Sequence, residues 1–236
     1  MSRYFLGWDC ANKTLAHSYI EVNTTIISDL LAIAKNINEI LRNGITGDNS
    51  DQLLAEIRMA SDIIGSYVTY LSWGVKDILC GRKVVDTNEI DRTHCLHRHL
   101  ITLPTLAQNT VTIIEHQPSK IGSKTNNKST AVSHQLAMYF IEHDPIFVNP
   151  TAKNTITLHD DLTHDKFLAA AMLRYKNHKD AKYAANKAHS TANFKYFIKT
   201  MGLDHVIAGI PNAVMDDLAD STMQILAYMR DHKVLA

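Results

Sequence analysis

The sequence predicts an α/β domain built on a mixed sheet flanked by helices, and three observations carry that prediction. Two apolar segments at the N-terminus read as an antiparallel hairpin. Two later strand-like segments are separated by helical patterns, the arrangement that parallel pairing requires. The chain then closes with amphipathic helical spacing.

In chain order, Arg3 to Trp8 is a short apolar run ending at Asp9, and Thr14 to Val22 alternates as its antiparallel partner across Cys10-Ala11-Asn12-Lys13. Ile27, Leu30, Leu31, Ala34 and Leu41 recur at helical spacing before Gly44, and Leu53, Leu54, Ile57 and Ile64 repeat the pattern before Gly65. Tyr67 to Leu79 is apolar and β-branched, a third strand, with a helical reading left open. Asp86 followed by Glu89 resembles a capping signal for a helix whose apolar face is Cys95, Leu96, His99, Leu100 and Leu103, stopping at Pro104. Thr110 to Glu115 is β-branched, short and ended abruptly by His116-Gln117-Pro118-Ser119; it too finishes on an acid. A polar loop, Lys120 to Lys128, precedes a helix marked by Val132, Leu136, Tyr139, Phe140 and His143, and Pro145 to Val148 is a last short strand. Asn212 to Met229 is a terminal helix with Pro211 where proline is tolerated. Neither repeats nor low-complexity segments interrupt this order.

Composition narrows the classes. The chain has 236 residues, 45% of them hydrophobic and 20% charged, which describes a globular core rather than a disordered or fibrous chain. No apolar run reaches the roughly 18 residues that span a bilayer, and Met1-Ser2-Arg3-Tyr4-Phe5 reads as a strand start rather than a signal peptide, so the expectation is an intracellular protein without a membrane partner. Cys10, Cys80 and Cys95 are odd in number and widely spaced; they read as buried thiols in a reducing compartment, without a disulfide framework. Lys and Arg total 24 and so do Asp and Glu, a balance that by itself argues against a nucleic-acid partner. The distribution argues otherwise. Arg174, Lys176, Lys179, Lys182, Lys187, Lys195 and Lys199 face a single acid, Asp180, with Tyr175, Tyr183, Phe194 and Tyr196 interleaved. Alone, this equally describes a solvated lysine-rich helix and loop.

The chemistry lies in the acids. Asp9 and Glu115 each close an apolar strand, a place where a carboxylate needs a reason. On the terminal helix Asp217 and Asp220 are three apart and share a face with Gln224, while Leu218, Ile225 and Met229 fall on another stripe. Such a pair is either a solvated acidic first turn complementing the helix dipole or half of a cation site. Brought together, the four carboxylates make a hard, oxygen-only site suited to Mg²⁺ or Mn²⁺ rather than zinc, and two such ions about 4 Å apart support in-line displacement at phosphorus.

At these residues the sequence resembles the RuvC-like Holliday junction resolvases, and within them the branch of poxviruses and other large DNA viruses. The pieces are Leu6-Gly7-Trp8-Asp9 with Asn12-Lys13-Thr14-Leu15-Ala16, then Val111-Thr112-Ile113-Ile114-Glu115-His116-Gln117-Pro118-Ser119, and Asp216-Asp217-Leu218-Ala219-Asp220-Ser221. The resemblance covers most of the chain. It implies an RNase H-like fold, a homodimer, and paired symmetric nicks across a four-way DNA junction with two Mg²⁺ per site and no small-molecule cofactor. It implies Asp9, Glu115, Asp217 and Asp220 as metal ligands, Asp216 competing with Asp217. It also places lysines near the cut phosphate, one just after the last strand and one ahead of the helix preceding the acidic helix. Lys153 and Lys187 fit those places, with Lys179 and Lys182 competing around Lys187 as DNA contacts. Gln117 and Ser119 are further candidate DNA contacts or caps of the following turn. Against the family pattern, the chain reads as one resolvase domain, 1–236, with a helical insertion at about 24–65 and a basic insertion at about 157–190. In a virus, the expected location is the site of viral DNA replication or the virion.

The 13 histidines invite a zinc reading, His94, His97 and His99 beside Cys95 above all, but no second ligand pair has the required spacing. Two rivals stand beside the resolvase: another RNase H-like nuclease, acting on an RNA·DNA hybrid or on flap or branched DNA, and a junction-binding protein without catalysis.

Overall fold

The computed structural model describes residues 2–11, 13–117, 120–121, 124–125 and 127–234. Its strands are β1 (Ser2–Cys10), β2 (Thr14–Asn23), β3 (Val68–Asp77), β4 (Thr110–Glu115), β5 (Lys120–Ile121), β6 (Lys124–Thr125) and β7 (Ile146–Val148). Its α-helices are α1 (Ile26–Asn43), α2 (Gly47–Ile64), α3 (Glu89–Leu100), α4 (Asn127–Tyr139), α5 (His164–Met172), α6 (His178–Thr200), α7 (Asp204–Ile207) and α8 (Asn212–Asp231). Five strands form one sheet in the order β3-β2-β1-β4-β7. β1, β2 and β3 are antiparallel neighbours, whereas β4 runs parallel to β1 and β7 parallel to β4. This is a mixed sheet flanked by helices, with an antiparallel hairpin side and a parallel side.

The register explains where the acids go. Leu6, Trp8 and Cys10 point to one face, where they join Leu15, Tyr19, Ile114 and residues of α3 and α4 in a core. Phe5 points to the other, packing with Ile20, Ile113 and the apolar residues of α6 and α8. The parallel pairing runs from Tyr4 opposite Thr110 to Trp8 opposite Ile114, so Asp9 and Glu115 follow as neighbours at the strands' C-terminal ends, both on the α8 face. Strand alternation alone thus delivers two carboxylates side by side.

α8 lies flat on that face and touches β1, β2, β3, β4 and α6. Its backbone comes so close at Gly7 that a Cβ there would run into the Ser221 carbonyl oxygen and into Ile225 Cγ1 at 2.7 Å. A buried polar ladder fixes its position: Ser18 Oγ lies 2.8 Å from both Ser221 Oγ and Thr222 Oγ1, and the Tyr70 hydroxyl donates to Thr222 Oγ1 at 3.0 Å. Burial pushes the Tyr70 hydroxyl pKa up, which keeps this donor protonated.

Several expectations are corrected. Cys80 and Cys95 form a disulfide, Cα atoms 6.3 Å apart, leaving Cys10 as the buried thiol. The loop after β3 folds back on α3, a proximity that sequence spacing does not disclose, and the pairing removes the cysteines as an argument for a reducing compartment. The N-cap of α3 is Asn88, whose side chain accepts from the Asp91 amide; Asp86 lies in a preceding turn of 3₁₀ helix. Part of the loop expected at Lys120–Lys128 pairs as β5 and β6, and α4 already begins at Asn127. Tyr67–Leu79 is mostly strand, as β3. The helical pair α1 and α2 connects β2 to β3, and its seam carries a hydrogen bond from Asn36 to Glu56 at 2.9 Å.

On the α3 face, His17 is packed against Trp8 and His99 with ring centroids 5.2 and 5.4 Å away, and its Nε2 meets Ser72 Oγ at 2.9 Å. Burial, with the nearby His99 and Lys76, pushes the His17 pKa down to about 3.

Two outcomes follow from these contacts. Gly7→Ala lowers unfolding stability by about 2 kcal/mol or more, because two backbones must separate; urea denaturation of the two proteins measures it, and an unchanged midpoint would contradict the close approach. His17 stays neutral when folded but takes a proton near pH 6.5 when unfolded. The unfolded state therefore binds more protons between about pH 6.5 and 3, and stability falls as pH drops through that window, by on the order of 4 kcal/mol in the limit. Thermal unfolding of the native chain and of His17→Gln across pH 4–8 should show the flatter profile in the variant.

Candidate active site

Five parts of the chain converge at the C-terminal end of β1. They are the ends of β1 and β4, the short turn after β7 (Ala152–Thr155), the middle of α6 and the first half of α8. Together they line a cleft of ≈ 520 Å³ that includes Asp9, Glu115, Gln117, Lys153, Lys187, Asp217 and Asp220. Asp9, Glu115 and Asp220 are 8%, 8% and 2% exposed, so three carboxylates are all but sealed from water. Carboxylates at that density cannot all ionise without nearby cations.

The cations present are lysines. Lys153 Nζ sits 2.8 Å from Glu115 Oε2 and 2.7 Å from Asp220 Oδ2. Lys187 Nζ, further out, lies 3.1 Å from Asp220 Oδ2, 3.1 Å from Asp216 Oδ2 and 3.5 Å from Asp217 Oδ1. Burial alone would raise the Asp220 pKa, but Lys153 and Lys187 hold it below the usual carboxylate range. For Asp9, by contrast, burial and then the neighbouring Glu115 push the pKa well above that range. Asp9 makes no ion pair within 4 Å among the described residues. Burial also raises Asp217. Both lysines are held firmly protonated by these carboxylates despite burial.

Neutral donors fix the carboxylates' orientation. Gln117 Nε2 donates to Glu115 Oε1 at 3.1 Å, Gln224 Nε2 donates to Glu115 Oε2, and Ser190 Oγ donates to Asp220 Oδ1 at 2.7 Å. Ser190 and Gln224 are fully buried, and Gln224 Oε1 has no hydrogen-bond partner among the described residues. The role of Gln224 was foreshadowed by its place on the acidic face of α8. Ser190 carried no signal, since nothing in a lysine-rich segment tells that its one serine faces inward. Tyr183, one of the aromatics interleaved with the basic segment, also lines the cleft, as do Asn186 and Asn154, for which the sequence held no signal.

The remaining candidates are placed as follows. Asp217 lines the cleft, whereas Asp216 reaches Lys187 but is not part of the lining. Lys153 lies just after β7, and Lys187 stands within α6. Lys179 and Lys182 are exposed on the first two turns of α6, outside the cleft. Phe194, grouped by sequence with a cationic surface, is fully buried in the core. Ser119 lies outside the described residues. His94, His97 and His99 do not meet as a ligand set: Cys95 is in the disulfide and His99 is buried against Trp8.

No protein-family model matches the chain, and no curated protein matches it in sequence. Among solved structures, the chain is similar to a Thermus thermophilus RuvC structure, with 12% identity and a TM-score of 0.44 over 98% of this chain and 97% of that one.

Whether a divalent metal suits the cleft is decided by its donors. Among the described residues no three His, Cys, Asp or Glu side chains converge tightly enough to grip an ion as they stand; the ammonium groups of Lys153 and Lys187 stand among them instead. The donor chemistry fits nonetheless. It is oxygen only, largely sealed from bulk water, with a buried amide oxygen of Gln224 to spare.

Gln224→Met keeps the side chain's length and removes the donor to buried Glu115, and a loss of about 1–3 kcal/mol in unfolding stability at neutral pH is expected. Urea unfolding measures it; no change would mean that the amide does not support the carboxylate.

Proposed function

We propose that the chain is a divalent-metal-dependent endonuclease of the RuvC-like class, a Holliday junction resolvase. The observation that carries this reading is the gathering of Asp9, Glu115, Asp217 and Asp220, from two strand ends and one helix face, in a single open cleft with two lysines. The motif resemblance supplies the class and its poxvirus-like branch. In that reading the four carboxylates hold Mg²⁺, or Mn²⁺ in its place, two per site. When bound, the metal supplies Lewis acidity at the scissile phosphate.

The chain's own residues then act as follows. Gln117, Gln224 and Ser190 orient the carboxylates so that their remaining lone pairs face the cleft. Lys187, the more exposed of the two lysines, contacts the phosphate and offsets the charge that builds up on it. A water oxygen bonds to phosphorus and gives up one proton as the bond to the 3′ oxygen breaks, and the 3′ oxygen takes up a proton from water and leaves as a hydroxyl. Exposed Lys179 and Lys182 on α6 extend the cationic surface along the DNA backbone. A homodimer presents two such clefts to a four-way junction and nicks it symmetrically, in recombination, repair or the resolution of viral replication intermediates. The acting location is intracellular. The helical pair within 24–65 and the segment 157–190 are additions to a single resolvase domain and reach junction arms or the partner subunit.

The test is a substrate panel with Mg²⁺: a four-way DNA junction, an RNA·DNA hybrid, a flap and a linear duplex. Symmetric nicks in the junction are expected. Cleavage of the hybrid or flap alone would assign another RNase H-like activity, and tight junction binding without cleavage would assign a silent binding protein. Asp9→Asn, Glu115→Gln, Asp217→Asn and Asp220→Asn should each lower cleavage by at least about a hundredfold, and Lys187→Ala by a similar order, while Asp216→Asn changes it by much less. A junction still nicked normally by Asp217→Asn sinks the ligand assignment.

A further inference from the structure

We infer that Lys153 is the site's built-in counter-cation: in the metal-free chain its ammonium group holds Glu115 and Asp220 together, and a divalent metal loads by displacing it into the cleft. The inference rests on the reading of these carboxylates as metal-holding. It departs from a plain phosphate-contact role for Lys153.

Three observations carry it. First, the ammonium lies at the innermost position, within 2.8 Å of one carboxylate and 2.7 Å of the other, and both carboxylates are buried. Removing one member of such a buried set leaves charge uncompensated, so something cationic must always be there. Second, Lys187 does not do the same work: its contacts to three carboxylates are longer, at 3.1, 3.1 and 3.5 Å, and its side chain is 24% exposed against 10% for Lys153. Third, Lys153 has somewhere to go. It rises from a short 3₁₀ turn, Ala152–Thr155, and its neighbours Thr151 and Asn154 line the same cleft. A four-carbon stem with a compact charge can swing from the carboxylates to that space without moving the backbone.

The exchange is like for like in sign and different in charge. A divalent ion neutralises the two carboxylates more fully than one ammonium, and it meets more donors than Lys153 can, because Asp9 and Asp217 are at hand without an ion pair to Lys153. The competition has a measurable consequence. The apparent metal affinity is reduced by the fraction of time Lys153 occupies the carboxylates, so the metal-free chain is stable on its own, and loading requires metal at a concentration that outcompetes the lysine.

Three measurements on the full chain, none involving DNA, test this. Mn²⁺ binding followed by electron paramagnetic resonance should be at least about tenfold tighter in Lys153→Met than in the native chain. The same variant in chelator should unfold roughly 5–15 °C lower, with most of the loss recovered on adding Mn²⁺. In the native chain, lysine acylation read by mass spectrometry should spare Lys153 in chelator and label it once Mg²⁺ is present. Mn²⁺ binding that is no tighter in the variant, or labelling of Lys153 that is indifferent to metal, overturns the inference. Should Lys153→Met fail to fold, the labelling of the native chain decides alone. A chain that passes these tests and cuts no junction leaves this inference standing and removes the nuclease reading; one that cuts junctions while Lys153 labels regardless of metal removes this inference only.

Discussion

The close approach of α8 to β1 at Gly7 is the contact on which the site depends. A helix lying over a sheet usually keeps a side chain's width of separation, but with no Cβ at Gly7 the Ser221 carbonyl and the Ile225 side chain come down onto the strand. Two residues further along β1 is Asp9, and one residue before Ser221 is Asp220. The glycine therefore sets how near the helix acids come to the strand acids. The ladder of Ser18, Ser221, Thr222 and Tyr70 resists sliding of the helix along the sheet, because its hydroxyls are buried and any shift would leave them unpaired.

That geometry creates an electrostatic problem which the rest of the site answers. Three carboxylates nearly without solvent are costly unless cations and hydrogen-bond donors surround them. The chain meets this demand unevenly. Asp220 receives Lys153, Lys187 and Ser190, and its pKa stays low; Asp9 makes no ion pair among the described residues, and burial pushes its pKa up despite the nearby lysines. A site built only for its own stability would pair the acids alike, or replace them with apolar residues of similar volume. Two buried acids in one cleft, Asp9 and Asp220, are thus unequally neutralised.

How much of this was legible in the sequence follows from the range of the interactions involved. Strand ends and helix faces are local, so β1, β4 and α8, with Asp9, Glu115, Asp217 and Asp220 on them, could be read from periodicity of two or of three and four. The five-stranded order required more than hairpin pairing, since β4 returns beside β1 rather than β3 and β7 adds beside β4. What was not legible depends on contacts between distant segments. Ser190 reaches Asp220 across 30 residues, and Cys80 meets Cys95 because the loop after β3 folds back on α3. Lys179 and Lys182 competed with Lys187 in sequence, yet on one helix only the residue facing α8 can reach its acids. Phe194 was misread for the same reason, since composition cannot say which side of α6 is the core.

The terminal helix carries the sharpest lesson about polar residues inside a fold. From Leu218 to Ala227 every residue of α8 is buried, and in that stretch Asp220, Ser221, Thr222 and Gln224 are polar. Ser221 and Thr222 answer to the hydroxyls of β2 and β3, which accounts for them as structure. Asp220 and Gln224 answer to Lys153 and Glu115, on the side that opens to the cleft. Packing alone has no need of an acid and an amide one turn apart on a buried helix, since apolar residues of the same size would fill the volume without the desolvation cost. The turn that bears them is placed where β1 and β4 end in acids, a coincidence that packing does not require.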